Sequence, residues 1–140
     1  MEFIKNNLNP SGKKVGDCVV RAIQYATKQT WPEVYQGLCE IGLDLKDMPN
    51  SKRVYQKYLE DRGWKKKPMP KIPATGLKWS NGVRTEYTSY HRLTLNQFVD
   101  ENPKLLAIVS LASHMTVVDN GKLIDLWNCG NKSVGNYWTK

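Results

Sequence analysis

The sequence predicts an α+β fold in which N-terminal helices pack on a small antiparallel β-sheet. The first 63 residues repeat apolar side chains at helical spacing, and residues 105–111 form a continuous apolar run of strand length. An Asn-Gly pair at 120–121 separates two strand-like segments, which is typical of a tight β-hairpin. Helices that precede strands along the chain are typical of the α+β class.

Three helices are predicted in the N-terminal half. Asp17 is expected to cap the first, which begins at Cys18 in the stretch GDCVVRAI. Residues 30–33 have the form of a capping box with proline in the first turn, where its missing N–H costs little. Asn50 is expected to cap the third helix, which is predicted to end near Gly63.

The second half is predicted to hold one short helix and the strands. A lysine- and proline-rich stretch after residue 64 predicts an exposed connection, and residues 77–92 predict a short hairpin or an irregular loop. Thr94 is expected to start the helix. Strands are predicted at 105–111 and on both sides of the Asn-Gly pair, within 114–127, and the tail SVGNYW is a further strand candidate.

Length and composition indicate one domain. A chain of 140 residues suits one core, divided here into a helical lobe (1–63), a connection (64–92) and a helix with an antiparallel sheet (93–140). The 40% hydrophobic and 24% charged residues are typical of soluble globular proteins. No apolar run approaches the roughly 20 residues of a membrane span, and we expect no secretory signal, no membrane association and a cytoplasmic location.

The three cysteines, Cys18, Cys39 and Cys129, are expected to be free thiols in a reducing cytosol. Their odd number and wide spacing argue against a disulfide framework and against a zinc site of the CxxC type. We therefore expect no structural metal and no organic cofactor. Cys39 and Cys129 are expected to be small buried packing residues.

The net charge of +8 has two interpretations. One is a solvated surface with excess lysine. The other is an anionic partner, such as nucleic acid, an anionic cell-wall polymer or an acidic protein. The only dense basic run is residues 65–67, and interleaved basic and aromatic residues that bind nucleic acid are a further alternative.

Cys18 is either a small core residue or a reactive sulfur. At a helix N-terminus, unpaired N–H groups and the positive end of the helix dipole lower the pKa of a thiol. The same N–H groups can hold an oxyanion. Asp17 acts in the opposite direction because it places a negative charge beside the thiol.

A histidine and an aspartate lie on the predicted Asn-Gly hairpin. With a two-residue turn, His114 comes nearest to position 127, about two residues from Asp125, and diagonal neighbours across an antiparallel pair remain within reach. A bulge or a longer turn would change this register. A buried carboxylate beside an imidazole fixes the tautomer and stabilises the imidazolium, as in a nucleophile–base–acid triad. His114 as a satisfied core histidine is the alternative, and His91 is the only substitute base.

The order of these residues resembles that of papain-like cysteine peptidases. In that superfamily a cysteine starts the first long helix, a histidine enters a late strand, and Asp or Asn follows on the next strand. The stretch from Asp125 to Trp127 is also similar to the Asn-x-Trp of the papain group, whose tryptophan shields the catalytic residues. The nearest resemblance is to small stand-alone papain-like proteins of phages and Gram-positive bacteria.

The resemblance implies a papain-like fold with the site in the cleft between the helical lobe and the sheet. It implies a cysteine hydrolase that cleaves an amide, peptide or isopeptide bond of a protein or peptide substrate. Cys18 would be the nucleophile, His114 the general base and then acid, Asp125 the orienting group and Trp127 the shield. A phage-encoded protein of this kind would act in the host cytoplasm.

The sequence departs from the papain group around the cysteine. That group has Cys-Trp where this chain has Cys18-Val19, and it has an oxyanion-hole glutamine where this chain has Ser11 and Gly12. Asn9 is the best amide available for the oxyanion hole. The alternatives are a catalytically weak or inactive papain-like binding protein that acts on a host protein or nucleic acid through its basic surface, and an enzyme that cleaves cell-wall peptide.

Overall fold

The computed structural model describes residues 1–140 and contains four helices and eight strands. The helices are α1 (Cys18–Thr27), α2 (Trp31–Leu45), α3 (Lys52–Asp61) and α4 (Leu95–Glu101). The strands are β1 (Glu2–Lys5), β2 (Lys65–Lys67), β3 (Lys71–Ser80), β4 (Val83–Arg92), β5 (Leu106–Leu111), β6 (His114–Asp119), β7 (Lys122–Asp125) and β8 (Tyr137–Thr139). The predicted combination of helices and sheet is therefore confirmed. None of the helices has the length and apolar character needed to cross a membrane.

Six strands form one sheet in the order β1-β7-β6-β5-β8-β2, and β3 pairs only with β4. The prediction of an antiparallel sheet needs one correction. β1 runs parallel to β7, with Phe3 opposite Leu123, whereas the other neighbouring strands are antiparallel. The sheet is mixed because the N-terminal segment, which the sequence did not predict as a strand, adds to its edge.

The sheet separates two apolar clusters. Because successive side chains of a strand point to opposite faces, β5 sends Ile108 to one cluster and Val109 to the other. The larger cluster holds α1, α2 and α3, with Ile23 and Leu38 fully buried. The smaller cluster holds α4, with Phe98 at its centre. The helical lobe therefore packs on one face of the sheet. This packing places the first residue of α1 next to the start of β6 and the end of β7.

The predicted starts of the first three helices are largely confirmed. α1 begins at Cys18, although the side chain of Asp17 makes no capping hydrogen bond. Thr30 caps α2 with its hydroxyl, which accepts a hydrogen bond from the backbone N–H of Glu33, one of the two hydrogen bonds of the predicted capping box. α3 is capped by Ser51 rather than by Asn50, because the hydroxyl of Ser51 accepts the N–H that the first turn leaves free.

The strands after α4 follow the predicted pattern. The apolar run forms β5, and β6 and β7 meet at the Asn120-Gly121 turn, with Val117 opposite Ile124. The φ angles of Asn120 and Gly121 are 50° and 83°, and positive φ at both central residues is what a type I′ hairpin turn requires. The tail forms β8, which lies between β5 and β2 in the sheet.

The connection is more ordered than expected. Residues 65–67 are largely exposed, as predicted, but they form the edge strand β2 and pair with β8. Residues 71–92 form a long regular hairpin, paired from Lys71–Arg92 to Ser80–Val83, where a short hairpin or loop was predicted. Most of its residues are exposed on both strands, and none belongs to either apolar cluster. The hairpin therefore stands outside the core.

Candidate functional site

Three elements bring Cys18, His114 and Asp125 together. Cys18 is the first residue of α1, His114 is the first residue of β6, and Asp125 is the last residue of β7. His114 Nε2 lies 2.6 Å from Asp125 Oδ2. The Cys18 thiol hydrogen-bonds with the side chain of His114 and with the backbone of Met115. Because Nε2 faces Asp125, Nδ1 is the ring nitrogen that remains for Cys18.

The register of the β6–β7 hairpin explains the contact between His114 and Asp125. Val117 pairs with Ile124, so the two-residue turn has the register that the sequence predicted. His114 and Asp125 are then diagonal neighbours, a spacing that long side chains can bridge. The imidazole–carboxylate contact is thus a direct consequence of the Asn-Gly turn.

Asp125 is 2% exposed, and both of its carboxylate oxygens have partners. Oδ1 accepts hydrogen bonds from the backbone N–H of Leu126 at 2.6 Å and from Arg21 Nη1 at 3.1 Å. Oδ2 contacts His114. A buried charge needs such pairing, because burial without partners costs several kcal/mol.

Arg21 joins the helix to the sheet, and the sequence analysis missed it. Its Nε donates to Asp17 Oδ1 at 2.8 Å, while its Nη1 donates to Asp125. The other oxygen of Asp17 accepts hydrogen bonds from Asn9 Nδ2 and Trp31 Nε1, each at 2.9 Å. The available signal was an arginine inside the apolar stretch VVRAI, since a charged residue on a buried face requires partners.

The charges of the site favour an ion pair between Cys18 and His114. Burial alone would lower the pKa of His114, but the hydrogen bonds, above all that with Asp125, outweigh burial and raise this pKa to about 11. Burial alone would raise the pKa of Cys18, but hydrogen bonding with His114 and Met115 and the nearby positive charges lower it. The site therefore favours a thiolate beside an imidazolium.

Asp125, which contacts His114, and Arg21, which contacts Asp125, are both stabilised in their ionised forms. Burial would raise the pKa of Asp125, but the hydrogen bond with His114 and further hydrogen bonds lower it. Burial would lower the pKa of Arg21, but its hydrogen bonds with Asp17 and Asp125 raise it. These shifts favour the carboxylate form of Asp125 and the cationic form of Arg21.

Asn9 lies in the loop before α1, where its contacts are structural. Its Nδ2 donates to Asp17, and its Oδ1 accepts hydrogen bonds from the backbone N–H and the hydroxyl of Ser11. These contacts fix the loop that leads to Cys18. The assignment of Asn9 to an oxyanion hole stays a prediction.

Trp127 covers one side of His114. The centroids of the two rings are 5.0 Å apart, and the indole is 42% exposed. The indole therefore packs against the imidazole, and the assignment of Trp127 as a shield of the site stays a prediction. His91, the substitute base, lies on the exposed β4 strand opposite Ile72 and takes no part in this cluster.

Cys129 is a second residue that the sequence analysis did not place at the site. It is fully buried, as expected, but its thiol donates to Asp125 Oδ2 at 3.7 Å. Ligand atoms of His114, Asp125 and Cys129 lie within 4.8 Å of one another, a spacing that could hold a metal ion. Arg21 already contacts Asp125, and its charge disfavours a cation there.

A cleft of about 360 Å³ opens beside Cys18 and His114; we call it the Cys18 cleft. Its remaining lining residues come from α1, α3 and the β5–β6 hairpin: Val19, Asn50, Lys52, Tyr55, Ser110, Leu111, Ser113 and Met115. Tyr55 hydrogen-bonds with Ser110 and lies close enough to Cys18 for a thiolate to raise its pKa, in addition to the effect of burial. Half of the lining residues are apolar, and Lys52 adds a positive charge apart from the Cys18–His114 pair.

Comparison of the chain with protein-family models, curated proteins and solved structures found no match. The interpretation of the site therefore depends on its geometry.

Proposed function

We propose that the protein is a papain-like cysteine hydrolase that cleaves an amide, peptide or isopeptide bond. The observation that carries this proposal is the chain of contacts from Cys18 through His114 to Asp125, with the Cys18 cleft beside the thiol. The order of these residues along the chain and the position of Trp127 over His114 also support a papain-like fold. A thiolate, a proton donor and a buried orienting carboxylate are the groups that such a reaction needs.

In the proposed reaction the Cys18 thiolate attacks the carbonyl carbon of the substrate. The C–N bond breaks as the imidazolium of His114 gives its proton to the leaving amine, and a thioester remains on Cys18. His114 then takes a proton from the water that attacks the thioester. The C–S bond breaks, the carboxylic acid is released, and the Cys18 thiolate and the His114 imidazolium are restored. Asp125 holds the imidazole in the orientation that both steps require.

The oxyanion of the tetrahedral intermediate needs two donors. The backbone N–H of Cys18 is the first, because it lies at the N-terminus of α1, where the helix leaves it free. The second is a side chain. The Tyr55 hydroxyl is favoured by its place on the Cys18 cleft, whereas Asn9, the residue expected from the sequence, has its amide on Asp17.

The lining of the Cys18 cleft supports a protein or peptide substrate. Val19, Leu111 and Met115 present apolar surface next to the reacting sulfur, which suits an apolar side chain on the acyl side of the bond. Lys52 at the rim favours a negative charge nearby in the substrate. The resemblance to small phage and bacterial proteins makes the host cytoplasm the proposed place of action.

Alkylation by iodoacetamide tests the proposal without knowledge of the substrate. Cys18 should react fastest of the three thiols, with a rate midpoint below the 9.0 of an ordinary thiol. His114→Ala should move that midpoint upward, while Cys39→Ser, on α2 and outside the Cys18 cleft, should leave it unchanged. Slow labelling of Cys18 at the rate of Cys39 would instead favour an inactive binding protein.

A peptidyl epoxysuccinate tests whether Cys18 attacks an electrophile in the cleft. The expected product is one adduct on Cys18, located by mass spectrometry and absent from Cys18→Ala. Asp125→Asn should retain labelling at a reduced rate, because the amide still accepts a hydrogen bond from the imidazole but no longer stabilises its charge. Absence of any adduct across a series of such peptides would contradict a hydrolase.

A further inference from the structure

The positive charge of the chain is concentrated in one segment. Residues 65–92, which form β2 and the β3–β4 hairpin, contain seven of the 21 Lys and Arg residues but only one of the 13 Asp and Glu residues. This segment therefore carries six of the eight net positive charges. The remainder of the chain is close to neutral, so an anionic partner would be attracted to this part of the surface.

One face of the β3–β4 hairpin combines three of the seven cations with exposed aromatic rings, and it also carries Glu86, the one acidic residue of the segment. Residues directly opposite one another share a face, so Trp79 and Arg84 lie together near the turn. On the same face, toward the base, Tyr90 lies opposite Pro73, and Lys71 Nζ lies 5.8 Å from the ring of Tyr90. Trp79 is 68% exposed and Tyr90 is 64% exposed.

We propose that this face of the hairpin binds a single-stranded nucleic acid. The exposed rings of Trp79 and Tyr90 would stack on bases, and the cations beside them, Lys71 and Arg84, would contact the phosphates. Pro73, the residue opposite Tyr90, lies six residues before Trp79. At about 3.3 Å per residue, the two rings are therefore about 20 Å apart along the hairpin. Different bases of one strand would therefore stack on the two rings.

The exposed rings favour a single strand over the other anionic partners. Bases of a duplex are already stacked, and a folded acidic protein offers no flat π-surface that repeats along a backbone. Arg92, at the base of the same face, donates to the backbone carbonyl of Val134 at 3.1 Å. It therefore anchors the hairpin to the body, while Arg84 near the turn stays available to the ligand.

Binding of fluorescein-labelled oligothymidine and oligouridine, measured by fluorescence anisotropy on the full chain, tests the proposal. Trp79→Ala with Tyr90→Ala should weaken binding by at least about 30-fold, the lower bound expected for loss of two base stacks. The single variant Trp79→Phe should keep most of the wild-type affinity, because it retains an aromatic ring at this position. Tyr35→Ala removes an exposed ring from α2 and should have no effect.

The cations are tested by the dependence of binding on salt. Lys71→Ala with Arg84→Ala should reduce the slope of log K against log salt by about 1.4, at about 0.7 for each lost phosphate contact. The control, Lys57→Ala with Lys122→Ala, lowers the net charge equally at exposed positions outside the hairpin. Equal losses in the two double variants would overturn the proposal, since the effect would then follow net charge alone.

Two further outcomes would also overturn it. One is binding of a matched duplex as tight as that of the single strand, with no effect of the aromatic substitutions. The other is binding of poly-glutamate at equal affinity and with equal sensitivity to Trp79→Ala, which would indicate an acidic protein. The assay does not depend on Cys18, so its result is separate from that of the alkylation test.

Discussion

Arg21 is a buried cation that contacts two carboxylates, Asp17 and Asp125, which have different structural roles. Asp17 anchors the loop before α1, and Asp125 orients His114. Because one guanidinium contacts both, the helix that carries Cys18 and the strand that carries Asp125 are held at a fixed distance. Arg21 is thus a positioning residue for the proposed hydrolase.

Replacement of Arg21 with Met should destabilise the fold by about 3–5 kcal/mol, because it leaves two buried carboxylates without their cation. Urea unfolding measures this change. The control is Arg53→Met, which removes an ion pair with Asp47 whose arginine side chain is 63% exposed. That change should cost about 1 kcal/mol or less, and equal costs for the two variants would contradict the bridging role of Arg21.

The raised pKa of His114 predicts a particular dependence of stability on pH. His114 has a pKa of about 11 in the folded protein and an ordinary value of 6.5, so its contribution is complete below pH 6.5 and is lost as the pH rises toward 11. The lowered pKa of Cys18 acts oppositely: its contribution is complete above pH 9.0 and is lost as the pH falls. The two effects partly cancel in the wild type.

Cys18→Ala removes this cancellation. In that variant the free energy of unfolding should fall by at least about 1 kcal/mol as the pH rises above 6.5. The fall should end below pH 11, because the thiolate no longer supports the imidazolium. Addition of His114→Gln should flatten the curve. Parallel curves for Cys18→Ala and the double variant would show that His114 is not the titrating group.

At this scale the sequence predicted residues whose positions follow from local rules. Cys18 is at a helix start because a polar residue precedes an apolar stripe, and His114 meets Asp125 because of a two-residue turn. Arg21 and Cys129 could not be placed in this way. The role of Arg21 depends on its contact with Asp125, which lies 104 residues further along the chain. Cys129 is only four residues from Asp125, but its contact depends on how the irregular segment after β7 folds back.

Among the elements, the β6–β7 hairpin has the greatest influence on the site, because its turn sets which residues face each other. Gly121→Ala puts a side chain at φ 83°, in the left-handed region, and should cost roughly 1–2 kcal/mol. It should also slow alkylation of Cys18, because any shift of register separates His114 from Asp125. Thermal unfolding and the alkylation rate measure the two effects.

The second Asn-Gly turn of the chain provides a matched control. Gly82, between β3 and β4, has φ 75° and open space around it, so Gly82→Ala introduces similar strain. This hairpin lies outside both apolar clusters. Gly82→Ala should therefore leave alkylation of Cys18 unchanged. Slower alkylation in both variants would mean that register is not the cause.

Elements with clear apolar periodicity were easier to predict than elements without it. α2 and the β5–β6–β7 strands show clear periodicity and turn residues, and they appear as expected. β1 has four residues, and its partner lies 120 positions further along the chain, so no local pattern indicates it. β2 consists of three lysines, which form a strand only because β8 offers a free edge.

At the scale of the whole molecule, the β3–β4 hairpin should be separable from the rest. Lys71 and Arg92 are directly opposite each other, so an Asn-Gly turn can replace residues 72–91. The melting temperature of this variant should change by less than about 4 °C, roughly 1 kcal/mol, and alkylation of Cys18 should stay the same. Binding of single-stranded nucleic acid should be lost.

A substitution in the core provides a reference for the loss of stability that removal of the hairpin should not reach. Trp138 is fully buried in the larger cluster, and Trp138→Ala should cost about 3–5 kcal/mol. A comparable loss on removal of the hairpin would show that residues 72–91 support the core.

The separation of Cys18 from His114 and Asp125 along the chain has a consequence during synthesis of the protein. Cys18 is made early, but His114, Asp125 and the strand β8 are made more than ninety residues later. Until they emerge from the ribosome, the thiol lacks both its proton partner and the cleft beside it. The Cys18 thiol therefore has none of the contacts of the proposed site until most of the chain has been translated.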